Sequence, residues 1–409
     1  MVGGDPHESM LRVLRITEAR HPRQQMTSFE PTESPAPAAL TEDFREIAHS
    51  GGKIIFDISV DHDGRPKYRV TSTGSRPVPM SMFAIYALPE GIPVANILLG
   101  GIGQSWNPPP YPSCIPVFIV SDSGGYFGHQ CPECEKYWRS GTLVRVCPYC
   151  GVRGEAFRFL TPAHLAYVSH YTRTLLDAMD ATQPGQSNQV TIDMAAIVDG
   201  AVVPKPEFYY PGTSQQTRFK CVHCGVANDI RGRYGFCSRC GWRNNLADLQ
   251  AHIEIVRADM NAGRLAPEEA VKKIVSVFDA CCRDWAAQLA TLPMRPHRQK
   301  ELLGTLFHGI DAADVLKRTF DIDLLKGMDH ETGFLRLMFQ RRHVFEHEGG
   351  VATRRYLNES GDKSITEGTL IRETRENAHR LASCIVRMAT NFETGFHEIF
   401  PPVEDQKAK

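Results

Sequence analysis

The hydrophobic pattern along the chain first marks residues 53–60 (Lys-Ile-Ile-Phe-Asp-Ile-Ser-Val), a mostly apolar run that predicts a strand. The Asp61-His62-Asp63-Gly64 run supplies turn chemistry, and residues 68–71 predict the returning strand. Apolar runs at 80–88, 94–99 and 115–120 predict further strands. After residue 160 the period lengthens. Thr161-Pro162 is an N-cap followed by proline at the first helical position, opening a helix to about residue 179 with Leu165, Val168, Leu175, Leu176 and Met179 on its apolar side. A short strand-like piece at 189–192 lies in a linker over 183–217 that carries Pro204, Pro206 and Pro211. A helix over 246–260 follows, capped by Asn244 or Asn245. From Pro267 onward only the helical period persists: residues 268–292, 297–320, 329–348 and 370 to about 396 predict four long helices, a number that suits a bundle.

The first 42 residues break both periods. Pro22, Pro31, Pro35 and Pro37 interrupt a polar stretch expected to be disordered, with one short helical or strand piece at 11–16. The loop at 100–103 is glycine-rich but lacks the spacing of a dinucleotide fingerprint. The Pro-rich run from Trp106 to Pro112 reads as a rigid extended crossing. The paired acids Glu42-Asp43 and Asp61-x-Asp63 look like a helix start and a turn rather than catalytic pairs.

Eight of the twelve cysteines form four Cys-x-x-Cys pairs. Cys131, Cys134, Cys147 and Cys150 are repeated with the same spacing by Cys221, Cys224, Cys237 and Cys240. Each set can give one zinc ion four thiolates in a tetrahedron, which fills the shell, so two structural zinc ions and no catalytic metal are expected. Each ribbon is followed by a helix, an internal repeat. Cys281, Cys282 and Cys384 fall in apolar helical contexts and read as small core residues. The second ribbon carries Arg231, Arg233, Arg239 and Arg243 with Tyr234 and Trp242 among them. Cations interleaved with aromatics can follow phosphates and stack bases, so these six are candidate nucleic-acid contacts.

The most chemically loaded stretch is Arg341-Arg342-His343-Val344-Phe345-Glu346-His347. Phe334, Leu337, Met338 and Phe345 predict an apolar stripe flanked by Arg341 and Arg342, while Arg336, Gln340, His343 and His347 share a polar face. Arginine grips phosphate with a planar fork, and histidine can move protons near neutral pH. At about 100° per residue, Arg342 and His347 point about 140° apart on one regular helix. They reach one phosphate only if the helix breaks or two copies face each other.

Residues from about 267 to 400 resemble the HEPN family (higher-eukaryote-and-prokaryote nucleotide-binding domains) in Arg342-x4-His347, in His343 directly after the arginine, and in Glu348-Gly349-Gly350, Tyr356-Leu357 and Gly361-Asp362. The resemblance implies a four-helix bundle that is in many members a metal-independent ribonuclease of toxin or antiviral-defence kind, with a composite site across a homodimer. Arg342 would then bind the scissile phosphate and His347 move protons, with the 2′-hydroxyl attacking to leave a 2′,3′-cyclic phosphate. Arg341 offers an alternative x5 spacing, and Glu348 stands where related sequences often have asparagine.

The bulk numbers add limits. The chain is 409 residues long, 42% hydrophobic and 23% charged, with a formal net charge of −1, so any attraction to nucleic acid must be local. No apolar run approaches the roughly 18 residues of a membrane span, and a cytoplasmic location without membrane partners is the default expectation. The expected whole is a multidomain α+β protein: a disordered segment (1–42), a β-rich domain (43–122), a first zinc ribbon plus helix (123–182), a linker with the second ribbon plus helix (183–262) and a HEPN-like four-helix domain (265–402). Its expected activity is endoribonucleolytic, with RNA (tRNA among the options) and a second copy of itself as partners. The alternative is a non-catalytic zinc-ribbon nucleic-acid-binding or adaptor protein whose bundle only dimerises.

Overall fold

The computed structural model describes residues 46–47, 52–73, 82–97, 107–122, 125–141, 144–193, 196–197 and 216–403. The segment expected to be disordered with its 11–16 piece, the acids Glu42-Asp43, the loop at 100–103 and most of the 183–217 linker lie outside these residues. The fold is α+β, with antiparallel sheets toward the N-terminus and helices toward the C-terminus. It divides into two compact units, one reaching Arg233 and including Cys237–Arg239, the other comprising Tyr234–Phe236 and the chain from Cys240.

In the first unit β1 (Lys53–Val60) and β2 (Pro66–Thr73) form the expected hairpin, closed by Asp61, whose Oδ1 accepts from the Asp63 and Arg65 amides. Ile54, Phe56, Ile58 and Val60 alternate into the core. The strands β3 (Met82–Ala87), β4 (Pro93–Ile97) and β5 (Ile115–Val120) make a second antiparallel sheet with β3 central. β3 and β5 are buried almost throughout, which explains their unbroken apolar runs. Two short strands follow, β6 (Phe127–Gln130) and β7 (Tyr137–Ser140).

The helix α1 (Pro162–Ala181) begins at the expected cap, where the Thr161 hydroxyl accepts from the His164 amide. Val168 and Leu175 of the expected apolar side are buried and Leu176 and Met179 pack against the core, while Leu165 is exposed and Tyr167 and Tyr171 join the buried face. Tyr167 donates to the Phe118 carbonyl at 3.1 Å, and Tyr171 meets the Phe56 ring edge-on. At Tyr167 a buried hydroxyl with a carbonyl in reach lets tyrosine supply area that leucine would otherwise supply. The strand β8 (Ser187–Asp193) returns to the free edge of β1. Finally β9 (Gln216–Lys220) and β10 (Ala227–Arg231) join the earlier short strands in a four-stranded sheet ordered β6-β7-β10-β9.

The second unit holds the helices α2 (Asn245–Asn261), α3 (Pro267–Leu289), α4 (Pro296–Gly304), α5 (Ala312–Phe320), α6 (Thr332–His347), α7 (Arg354–Ser360) and α8 (Arg375–Ile399). α3 packs against α2, α6 and α8. Ala270, Ile274, Phe278, Cys281, Trp285 and Leu289 recur at helical spacing on its buried side, and Trp285 lies 4.9 Å from the Phe392 ring of α8. As expected, Cys281, Cys282 and Cys384 are buried.

Two helix expectations change. The span 297–320 is two helices, because between them Phe307 turns fully into the core, where its ring meets Phe278 and Phe392, and its amide donates to Asp279 at 2.7 Å. The last helix starts at Arg375, capped by the Thr374 hydroxyl; Leu370 before it bridges back to Val351.

Candidate functional site

Two groups of side chains are assembled for chemistry, and the first is cysteine. Within each set of four, the sulfur atoms all lie within 4.8 Å of one another. The Cys131–Cys150 and Cys134–Cys147 sulfurs are 3.7 Å apart, and Cys224–Cys237 3.5 Å. Four sulfurs about 2.3 Å from a tetrahedral ion would be about 3.8 Å apart, so both sets fit a metal ion bound by four thiolates. The local backbone explains the geometry. After each second cysteine of a pair comes a left-handed residue: Glu135 (φ 58°), Gly151 (72°), Gly225 (74°) and Gly241 (78°). It lets the chain double back so that the amides of Glu135, Gly151 and Gly225 reach the carbonyls of Cys131, Cys147 and Cys221. Glycine does this without strain at three of the knuckles, and Glu135 is the exception.

The second set repeats the first 90 residues on (Cys131 to Cys221, Cys150 to Cys240). The ribbon hairpins β6-β7 and β9-β10 meet along their inner strands, with Arg139 directly opposite Asp229. These two residues occupy equivalent positions of the repeat, so the pairing has the register of a pseudo-twofold. At its centre Arg139 donates to Asp122 at 2.7 Å and to Asp229 at 3.2 Å, all three buried; Arg218 adds a second donor to Asp229 at 3.2 Å. Two buried carboxylates share cations here, which compensates their loss of water.

The six candidate nucleic-acid contacts do not form one surface. Arg231 is exposed, while Arg233, Tyr234 and Arg239 are half-buried. Trp242 is stacked on His397, ring centroids 4.0 Å apart. Arg243 is buried, ion-paired with Asp284, bonded to Asn245 at 3.0 Å and set over the Phe236 ring at 4.4 Å. Contrary to expectation, Arg243 is an internal strut, because Asp284 takes its Nη2 donor and Asn245 its Nε donor.

The second group is on α6. Its buried side is Leu335, Met338, Phe339, Arg341, Arg342 and Val344, so both arginines belong to the inward face rather than flanking it. Phe334 lies half-buried under the Arg380 guanidinium. Arg341 donates to Glu373 at 2.9 Å, to Asp362 at 3.0 Å and to the Tyr356 hydroxyl at 3.3 Å, and Tyr356 donates to Asp362 at 2.6 Å. Burial works against this charge, but those hydrogen bonds outweigh it and raise the guanidinium pKa further. Tyr356 and Asp362 in the tail after the histidines therefore serve Arg341.

Arg342 is differently placed. Its Nη1 lies 3.5 Å from His308 Nδ1, and its buried Nε has no hydrogen-bond partner. His308 Nε2 in turn lies 3.2 Å from Asp279 on α3. Burial pushes the His308 pKa down, outweighing the upward pull of Asp279, and the Arg342 charge adds to the depression. His347 is exposed and His343 half-buried, their rings 4.8 Å apart. Among the described residues no hydrogen bond, ion pair or ring contact joins Arg342 to His347, as the helical angle required. His308 and Asp279 were not singled out from sequence. The available signal was Asp279 itself, an acid on the apolar face of a helix whose neighbours at helical spacing are Val275, Cys282 and Ala286.

No helix among the described residues is long and apolar enough to cross a membrane. No family model matches the chain, and no curated protein or solved structure matches it either.

Proposed function

We propose that the second unit is a HEPN-like, metal-independent endoribonuclease, of the kind that acts in defence or as a toxin, and that both cysteine sets hold structural zinc. The observation that carries the reading is the contrast between adjacent arginines. Arg341 is engaged by two carboxylates and a tyrosine, whereas Arg342 keeps an uncommitted, buried Nε next to an imidazole. A permanently charged fork held in place with donors to spare is suited to a phosphodiester. In this reading Arg342 binds the scissile phosphate, His347 moves a proton, His343 supports it, and Arg341 braces the helix. Because Arg342 and His347 diverge within one chain, the active form is a homodimer. In this reading the exposed Arg231 and the half-buried Arg233 and Arg239 of the second ribbon guide RNA, tRNA among the candidates.

That same divergence favours a second reading, in which the helical unit only dimerises and the protein is a non-catalytic binding or adaptor module. RNA cleavage by wild type and by His347→Ala, without divalent metal, on total RNA and tRNA separates the two. The first reading expects cyclic-phosphate ends that disappear in the variant. The second expects no cleavage by either, with salt-dependent binding unchanged.

A further inference from the structure

We propose that Arg342, His308 and Asp279 form a phosphate-ester site within a single copy of the chain, in which His308 Nδ1 is the proton acceptor. The inference rests on the ribonuclease reading and adds to it the base that the Arg342–His347 pair leaves unassigned.

The hydrogen-bond chain fixes the roles. Ionised Asp279 only accepts: Oδ1 takes the Phe307 amide at 2.7 Å, and Oδ2 faces His308 Nε2 at 3.2 Å. Nε2 therefore carries the proton, and Nδ1 presents its lone pair toward Arg342 at 3.5 Å. That distance is at the outer limit of a hydrogen bond, and the neighbouring Nε of Arg342 has no partner. An entering phosphate oxygen would take the Nη1 donor from its long contact with His308 and leave Nδ1 beside the ester. The His308 side chain is 30% exposed, which gives the site its opening. Arg283, four residues after Asp279, stands 3.9 Å from the Asp279 carboxylate and adds a second cation beside the site. A neutral imidazole oriented by a carboxylate, next to a fixed cation, is the equipment of a general base acting on a phosphate-bound substrate.

In RNA cleavage the 2′-oxygen forms a bond to phosphorus as its proton passes to His308 Nδ1. The bond from phosphorus to the 5′-oxygen breaks, and that oxygen takes a proton from His347 of the second copy in the homodimer. The products are a 2′,3′-cyclic phosphate and a 5′-hydroxyl. His308 then returns its proton to solvent, and His347 takes one up from it.

Two measurements test this. The first follows the imidazole nitrogens of histidine-labelled protein by NMR as inorganic phosphate is added. The expected result is a neutral, Nε2-protonated His308 whose Nδ1 resonance moves with phosphate, and a response at least tenfold weaker in Arg342→Ala. A silent His308, or an unchanged response in Arg342→Ala, overturns the site whether or not any RNA is cut. The second is RNA cleavage by His308→Gln and His308→Ala, with thermal melting as the check on folding. A loss of about 100-fold in rate is expected for a general base. Asp279→Asn should move the acid limb of the pH profile to lower pH, since His308 is faced by Asp279 and Arg283 from α3 and by Arg342 from α6, and loses the anion that raises its pKa. Cleavage at wild-type rate by a folded His308→Gln while His347→Ala is inactive refutes the inference and leaves the ribonuclease reading standing. If wild type cuts no RNA, that reading fails and the NMR result alone decides the phosphate site.

Discussion

Replacing Arg341 by alanine should destabilise the second unit far more than replacing Arg342, although the two are adjacent and equally buried. The Arg341 side chain is 10% exposed and its partners Asp362 and Glu373 are 5% and 0%. Removing the guanidinium leaves two carboxylates in the interior facing each other across its former place, with Tyr356 deprived of one partner. Breaking a buried ion pair in this way costs about 3–5 kcal/mol, because the remaining charge stays desolvated. Arg342 faces a histidine held neutral, so its loss removes no ion pair and should cost about 1 kcal/mol. The Arg341 cluster ties α6 to the segment around α7 and to the start of α8, so the effect should be local. Hydrogen exchange in peptides covering residues 350–375 should accelerate at least about 100-fold in Arg341→Ala at neutral pH, the equivalent of roughly 3 kcal/mol. The pH dependence carries its own sign. Burial disfavours the Asp362 carboxylate, but hydrogen bonds from Ser364, Tyr356 and Arg341 prevail and hold its pKa well below the usual range. A depressed folded-state pKa means that this stabilisation is present above the ordinary carboxylate pKa and disappears as pH falls below it. The gap between wild type and Arg341→Ala should therefore narrow in acid. Equal exchange in the two arginine variants would refute the assignment of Arg341 as a brace.

Two further outcomes are expected. Metal analysis should return two zinc ions per chain, and chelation should abolish exchange protection over residues 127–140 and 216–231, since these short strands run directly into the cysteine knuckles that the metal would hold; fewer than two metals or unchanged protection would contradict the zinc assignment. Burial raises Glu393 on α8 to about 7, beside the Trp242 indole. Because its folded pKa lies above its unfolded one, it stabilises the second unit fully below about pH 4.5 and ceases to do so as pH rises through 7. Glu393→Gln should accordingly lose roughly 2–3 kcal/mol less than wild type in denaturant titrations between pH 5 and pH 8, and an identical loss would count against that burial.

The sheet strands were legible as short runs rich in apolar residues, whether one side is dry, as in β1, or both, as in β3 and β5, and the turn after β1 is written in Asp61 and Gly64. The ribbon strands were not legible, because β6 and β7 are only four residues each and depend on knuckles and on pairing with a repeat 90 residues away. The cysteine sets could be read completely, since spacing alone determines which sulfurs can converge. The basic face of the second ribbon could not. Arg231 and Arg243 are indistinguishable in composition, and Arg243 is marked out by Asp284, which a helix 41 residues further on brings to it and to Asn245.

The arginine–histidine helix shows the same limit at the site itself. Helical geometry correctly separates Arg342 from His347, and it also puts two charged residues beside an apolar stripe without saying which of them is satisfied. That answer comes from partners distant in sequence, Asp362 and Glu373 for Arg341 and His308 for Arg342. His308 was hidden because the span 297–320 carries helical periodicity throughout, and on an unbroken helix its imidazole would be one more polar residue. Burying Phe307 breaks that helix. The Phe307 amide then needs an acceptor, Asp279 supplies it, and its second oxygen meets His308 in the next position. One carboxylate thus both satisfies a broken helix and orients an imidazole toward Arg342. A structural role for Asp279 and a functional one are therefore not alternatives: Asp279→Asn, which can still accept from the Phe307 amide but cannot hold a charge against His308, separates them.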